Sequence, residues 1–251
     1  MTVIAALFIA GGLAVALELL TTPTAAEAVA LVRAEARRHG TAYPGPEPPQ
    51  RFVAALIATE DQRFYSPLDP GIDPFAVGRV ILGRMTGRRD QGGSTIEQQL
   101  AKMLYTPRRT GLMVELEQMA LAIKLNFTYP KSEILSMYAE VAYFGHGHYG
   151  LWSASCGYFG REPAELSWAQ AAMLAGVVNA PTALDPRTHP RSAHEREAHV
   201  FARLVAVGDL AQGQADAALA RPLGLVPMGR PVKRPMERTD GASSCTARGR
   251  S

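Results

Sequence analysis

Apolar residues recur along this chain at helical spacing and nowhere at strand spacing. Leu112, Leu116, Met119, Ile123 and Phe127 follow one another at intervals of three and four, which predicts one amphipathic helix from about Leu112 to Phe127. Pro130 then opens a helix that runs through Tyr143. Phe52 to Thr59 is an apolar helical run that delivers Glu60 at its end. Ser167 and Gln170 have capping-box spacing, so a helix begins there, runs through Ala171 to Val178 and stops at Pro181. Thr24 and Glu27 repeat that spacing ahead of a helix over Ala25 to His39, ended by Gly40. Phe75 to Met85 and Glu195 to Val207 read as two more. Pro44, Pro46, Pro48 and Pro49 make residues 41–50 a stiff linker, residues 65–74 form a Pro- and Gly-rich loop, and Arg84 to Arg89 a basic loop. The predicted class is all-α.

The two ends depart from this pattern. Thr2 to Leu17 is uncharged and mostly apolar, and Glu18 precedes two more leucines. That is close to the length of a spanning helix and reads as a membrane anchor; a secretory signal, with a weak cleavage candidate at Thr24-Ala25-Ala26, is the alternative. Arg33, Arg37 and Arg38 follow the segment and no Lys or Arg precedes it, a bias that by itself would leave the downstream chain in the cytoplasm. After about Arg221 apolar residues thin out, which predicts a mobile tail.

Composition narrows the function classes. An apolar content of 47% over 251 residues supports a sizeable core. The formal charge of +3 suits an anionic lipid surface or a pyrophosphate, and neither zinc-finger spacing nor an aromatic-interleaved basic ribbon points to nucleic acid. Cys156 lies in an apolar stretch and Cys245 in the polar tail; two buried or unpaired thiols are favoured over a disulfide between them, and no metal-ligand spacing is present.

One string concentrates the candidate chemistry. Gln91-Gly92-Gly93-Ser94-Thr95-Ile96-Glu97-Gln98-Gln99-Leu100-Ala101-Lys102 joins a diglycine to a helix start. Ser94 and Glu97 predict a cap at Ser94, and Gln98 and Lys102 are placed on one face. With Glu60-Asp61-Gln62-Arg63-Phe64 upstream, the string resembles the peptidoglycan glycosyltransferases of glycosyltransferase family 51, of the monofunctional transglycosylase type. Three later stretches fit in the same order: Lys131 to Tyr138, Tyr143 to Gly150, and Tyr158-Phe159-Gly160-Arg161 with Leu174-Ala175-Gly176 and Ala180-Pro181.

The resemblance covers roughly residues 50 to 210 and implies a lysozyme-like globular lobe beside a smaller, membrane-facing lobe. It divides the chain into an anchor at 1–20, a helix and linker at 21–50, a glycosyltransferase domain at 51–212 and a tail at 213–251. It also implies polymerisation of lipid II into glycan strands at the bacterial inner membrane, on the extracytoplasmic face. The implied partners are lipid II, the growing strand, the membrane and cell-wall synthesis proteins. Mg²⁺ is implied only as a companion of the substrate pyrophosphate, and no resident metal site is expected. The anomeric centre would be inverted. The chain contains no Ser-x-x-Lys, so cross-linking activity is not expected of it.

Such a transfer needs a base for the attacking sugar hydroxyl and positive charge for the departing pyrophosphate. Glu60 matches the family's catalytic glutamate, thought to be that base. Arg63 and Lys102 match the family's pyrophosphate-holding cations. The next arginine would fall at Thr110 by ungapped counting, and Arg109 stands one residue away. Gln98 and Gln99 are candidates for sugar hydroxyls or the neighbouring carboxylate, with amide bonding in the core an equal alternative. The family's second glutamate falls at Gln118, with Glu117 adjacent and Glu115 one turn back. Ser66 to Gly71 replaces a stretch that usually carries a histidine. These departures leave two further readings: a non-catalytic binder of lipid II or glycan, and a lysozyme-like hydrolase. His146 and His148 are expected to serve their loop, Ser94 to cap a helix, and Tyr158 and Phe159 to pack the core.

Overall fold

The computed structural model describes residues 2–41, 43–73, 94–227 and 245, with side chains from residue 9 onward. The expected helix at Phe75 to Met85, the basic loop after it and the diglycine at 92–93 lie outside the described residues. The described residues form helices α1 (Thr2–Thr21), α2 (Ala28–His39), α3 (Gln50–Glu60), α4 (Ile96–Tyr105), α5 (Leu112–Thr128) and α6 (Lys131–Val141). These are followed by α7 (Leu151–Phe159), α8 (Trp168–Val177), α9 (Pro190–Ala206) and α10 (Gln212–Leu219). Among these residues there is no strand, only an isolated antiparallel bridge between Tyr143 and Tyr149. The class is all-α, as the spacing predicts.

The chain divides into two compact units. The first comprises Met1–Leu31 and Arg63–Ile134, the second Val32–Gln62 and Leu135–Ser251. In the first, α5 packs against α4 and α1. Val15 of α1 meets Leu116 and Met119 of α5, with Ile72 and Ile123 alongside. Lys124 closes the end of α1: its ammonium donates to the Thr22 carbonyl at 2.6 Å, the Thr22 hydroxyl at 2.8 Å and the Pro23 carbonyl at 3.0 Å. Those carbonyls lie at a helix C-terminus and have no intrahelical donor, so a lysine is well matched to them. Among the described residues no single helix is long and apolar enough to cross a membrane; the bent pair Ile9–Thr21 and Ala25–His39 passes by length and composition.

In the second unit α3, α8 and α9 pack on one another. Helix α8 is buried on nearly every side, which fits a sequence that is apolar throughout except for Gln170. Its cap is as the sequence predicts: Ser167 accepts from the Gln170 amide, and the Gln170 side chain returns to the Ser167 amide. Phe52, Leu56, Tyr138, Phe144 and Tyr158 fill the centre.

Several expectations are corrected here. The cap of α4 is Thr95, not Ser94: the Thr95 hydroxyl accepts from the Gln98 amide at 3.1 Å and donates to the Gly71 carbonyl at 2.7 Å. Glu97 turns instead to Lys131, 2.6 Å away, so the Ser94 box does not form. Helix α7 had no periodic signal because eight of its nine residues are buried and it has no polar face. Helix α9 starts at Pro190, five residues before the expected Glu195, on a Pro in its first turn. Helix α10 lies within the stretch read as tail. Cys156 and Cys245 are not separate thiols but a disulfide, with Cα atoms 5.1 Å apart and 89 residues between them in sequence. Trp152 packs beside that bridge.

Candidate active site

Apolar spacing in α3 sets Phe52, Ala55, Leu56 and Ala58 inward and brings Glu60 to the last position of the helix. A carboxylate there faces the partial negative charge of its own helix end, so it needs donors from elsewhere. Two are supplied within the second unit. Arg196 of α9 donates Nη2–H to Glu60 Oε1 at 2.5 Å, and Asn179, just beyond α8, donates Nδ2–H to Oε2 at 3.0 Å. The Glu60 side chain is 6% exposed and that of Arg196 22%. Arg203, seven residues along α9 and so on the same face, donates to the Ala58 carbonyl at 3.2 Å.

The surroundings of Glu60 register its charge. Tyr138 is fully buried, and burial followed by the Glu60 charge pushes its hydroxyl well above the ordinary phenol range. His199 of α9 is pushed below the usual imidazole value by burial, then by Arg196 and Arg203, with Glu60 opposing. Arg196 and Asn179 are the residues that reading the sequence missed. The arginine spacing on α9 and the Asn before Ala180-Pro181 were visible, but each partner is more than 100 positions from Glu60.

The other expected site residues belong to the first unit. Lys102 lies on α4, one turn after Gln98, with its side chain exposed. Gln98 is 6% exposed, and its Oε1 accepts no hydrogen bond among the described residues. Arg63 forms an ion pair with Asp73 at 2.8 Å. Arg109 grips Glu117 with both fork nitrogens, at 3.0 and 2.8 Å. Gln118 is buried beside that pair in sequence but faces elsewhere, donating to the Thr106 hydroxyl at 2.7 Å. The structure therefore joins Arg109 to Glu117 and Gln118 to the turn after α4. Glu60 stands in the other unit with its own partners.

The stretch that stands where the family usually carries a histidine is tightly fixed. Asp69 Oδ1 accepts from the Gly71 amide and Oδ2 from Lys131 at 3.2 Å, while Asn126 donates to the Asp69 carbonyl. Gly71 has φ +84°, and a Cβ there would lie 2.8 Å from the Ala122 carbonyl oxygen, so the loop rests directly on α5. Lys131 also sits 4.3 Å from the Phe64 ring centroid. Burial raises the Glu97 carboxyl above its ordinary value, and Lys131 works against that shift.

His146 and His148 reach out of their loop. His146 pairs with Asp185 at 2.5 Å, and His148 meets the Ser153 hydroxyl at 3.2 Å. The buried Tyr158 donates to the Phe144 carbonyl at 2.8 Å.

Comparison with known proteins adds to this geometry. A family model described as Transglycosylase matches residues 27–205. A Cupriavidus necator protein carrying the provisional name transglycosylase is 35% identical over 177 residues, covering 70% of this chain and 76% of its own. Penicillin-binding protein 1A of Aquifex aeolicus is 39% identical over 176 residues, or 70% of this chain and 24% of that protein. Penicillin-binding protein 1F of Bacillus subtilis is 36% identical over 71% of this chain and 25% of its own. The chain thus spans about a quarter of these penicillin-binding relatives. Among solved structures, penicillin-binding protein 1A of Haemophilus influenzae aligns over 72% of this chain and 17% of its own, with a TM-score of 0.43 and 20% identity.

Proposed function

From the premise that this chain belongs to the transglycosylase family and polymerises peptidoglycan glycan strands, we propose that Glu60 is the base of the transfer. The observation that carries this reading is a nearly buried carboxylate at a helix end, held by Arg196 and Asn179, inside the segment the family model matches. Glu60 takes the proton from the 4-hydroxyl of the acceptor GlcNAc as that oxygen forms a bond to C1 of the donor MurNAc. The bond from C1 to the lipid pyrophosphate oxygen breaks in the same step, and the configuration at C1 inverts. The pyrophosphate departs with the electron pair.

Lys102 is the cation proposed to meet that pyrophosphate, since its side chain is exposed at the end of α4. Arg63 and Arg109 serve only by leaving Asp73 and Glu117, so they rank behind it. Gln98 is assigned to sugar hydroxyls, and Gln118 to holding the turn at Thr106 rather than to proton transfer. Mg²⁺ would arrive with the pyrophosphate as part of the substrate.

The location proposed is the inner membrane, with the domain on the extracytoplasmic face and wall-synthesis proteins as neighbours. The apolar α1 supports an anchor, and the Cys156–Cys245 disulfide supports an oxidising compartment over the cytoplasm. The test is polymerisation of labelled lipid II by detergent-extracted protein. Glu60→Gln is expected to lower the rate by about 10²–10⁴-fold, the range for removing a general base. Full polymer from Glu60→Gln, or none from folded wild type, would refute the assignment.

A further inference from the structure

We propose that Arg196 and Asn179 are positioning residues that fix the Glu60 carboxylate in its working orientation, and that Gly176 is the notch that lets Arg196 reach it. The proposal rests on the reading of Glu60 as the base.

The contacts assign a different task to each partner. Oε1 is held by Arg196, whose side chain is mostly covered, and Oε2 by Asn179 through a contact at the surface. Oε2, held at the surface through Asn179, is the oxygen we assign to the incoming hydroxyl. Oε1 stays clamped throughout. A carboxylate fixed at one oxygen keeps its remaining torsion within a narrow range, which is what a proton acceptor needs to meet a hydroxyl at hydrogen-bond distance. The same contact offsets the unfavourable end of α3, where Glu60 would otherwise turn away from the helix.

The approach of Arg196 depends on a missing side chain. A Cβ built on Gly176 in α8 would lie 2.9 Å from Arg196 Cγ and 3.5 Å from Val200 Cγ2. The arginine stem thus crosses α8 only because position 176 is bare. Arg196 Nε is buried and has no acceptor among the described residues, so the guanidinium is committed to Glu60 through Nη2 rather than shared within a wider network. Arg203 then secures α9 to the same turn of α3, so the frame carrying Arg196 is itself held. Three elements that are far apart in sequence converge on one carboxylate: the end of α3, the Gly176 to Asn179 corner of α8, and one face of α9.

The experiment is a double-mutant cycle read in two ways on the full chain in detergent. Kinetically, Arg196→Met is expected to lower kcat about 100-fold, the scale for misplacing a reacting group by an ångström, with KM for lipid II within about twofold. Arg196→Lys should recover a measurable part of that loss, because it restores the charge without the fork. Gly176→Ala should lower kcat in the same direction although it removes no functional group. In melting experiments, Arg196→Met alone should lower Tm, and adding Glu60→Gln should restore part of it by removing the stranded carboxylate. A purely structural Arg196 would show the same Tm coupling but would change kcat only as far as it changes the folded fraction. If Glu60→Gln is inert while Arg196→Met keeps at least half of the wild-type kcat, the clamp is overturned and the base survives. If Glu60→Gln turns over like wild type, the base fails and the clamp falls with it.

Discussion

The two units solve opposite surface problems. In the first, large apolar side chains stand outside: Leu13, Leu17 and Leu20 on α1, and Tyr65, Leu68, Met113 and Phe127 beyond it, with Leu68 91% exposed and Phe127 79%. In the second, the exposed large apolar residues among those described are Val207 and Leu225, neither above 39%. Both units bury ionisable groups, Glu97 in the first and Tyr138, His148 and Glu197 in the second. Exposed apolar groups cost nothing extra when the neighbouring medium is itself apolar, whereas buried ionisable groups make stability depend on pH. The units therefore differ in their exposed apolar surface and in the disulfide of the second, while each carries buried groups that make its stability depend on pH.

The largest expected effect falls on the second unit through its disulfide. Cys245→Ser, or reduction of the native protein, is expected to cost about 4–5 kcal/mol by the loop-entropy estimate for a link spanning 89 residues. Chemical denaturation with and without reductant measures it. A change under about 1 kcal/mol would mean that the bridge does not constrain this unit.

Proton chemistry comes next, with opposite signs at two residues. Burial pushes Glu197 up to about 8 from an ordinary value of 4.5. Its stabilising effect is complete below the unfolded value and is lost as pH rises through the folded one. Wild type should therefore lose on the order of 3 kcal/mol between pH 5 and pH 8, and Glu197→Gln should flatten that fall. His148 is pushed down to about 4 from 6.5, first by burial and then by His146 and Arg187. Its contribution is present above pH 6.5 and disappears as pH falls through 4, about 3 kcal/mol in scale, so His148→Gln should flatten the acid limb. Urea titrations across that range decide both. If Glu197→Gln and wild type share one pH profile, the carboxyl is not titrating with folding.

The smallest effect tests the other side of the comparison. A photo-crosslinking amino acid at position 68 or 127 should capture lipid acyl chains several-fold more often than one at position 207, with no change in Tm. Equal capture at all three positions would erase the contrast between the units.

Local chemistry was legible in the sequence where one segment decides it. The Ser167–Gln170 cap, the long helix after Leu112 and the placing of Glu60 at a helix end all rest on neighbours a few residues apart. The α4 cap shows the limit. Ser94 and Thr95 both qualify by type, and the choice is made by the Gly71 carbonyl and by Lys131 drawing Glu97 away. Arg196 and Asn179 were beyond reach for the same reason, since long separations leave no periodic trace; Cys245 was the one possible partner of Cys156, and only the fold shows that the two meet. Gln118 marks another gap: spacing set it where the family keeps a glutamate, but only packing shows that its amide is taken by Thr106.

Lys124 has a mechanical consequence. All three of its ammonium protons are engaged at the end of α1, and burial moves it below the ordinary lysine range. With Val15 also seated against α5, the first helix has no slack joint to that helix. A force that shifted α1 would therefore be felt at α5, to which both contacts tie it.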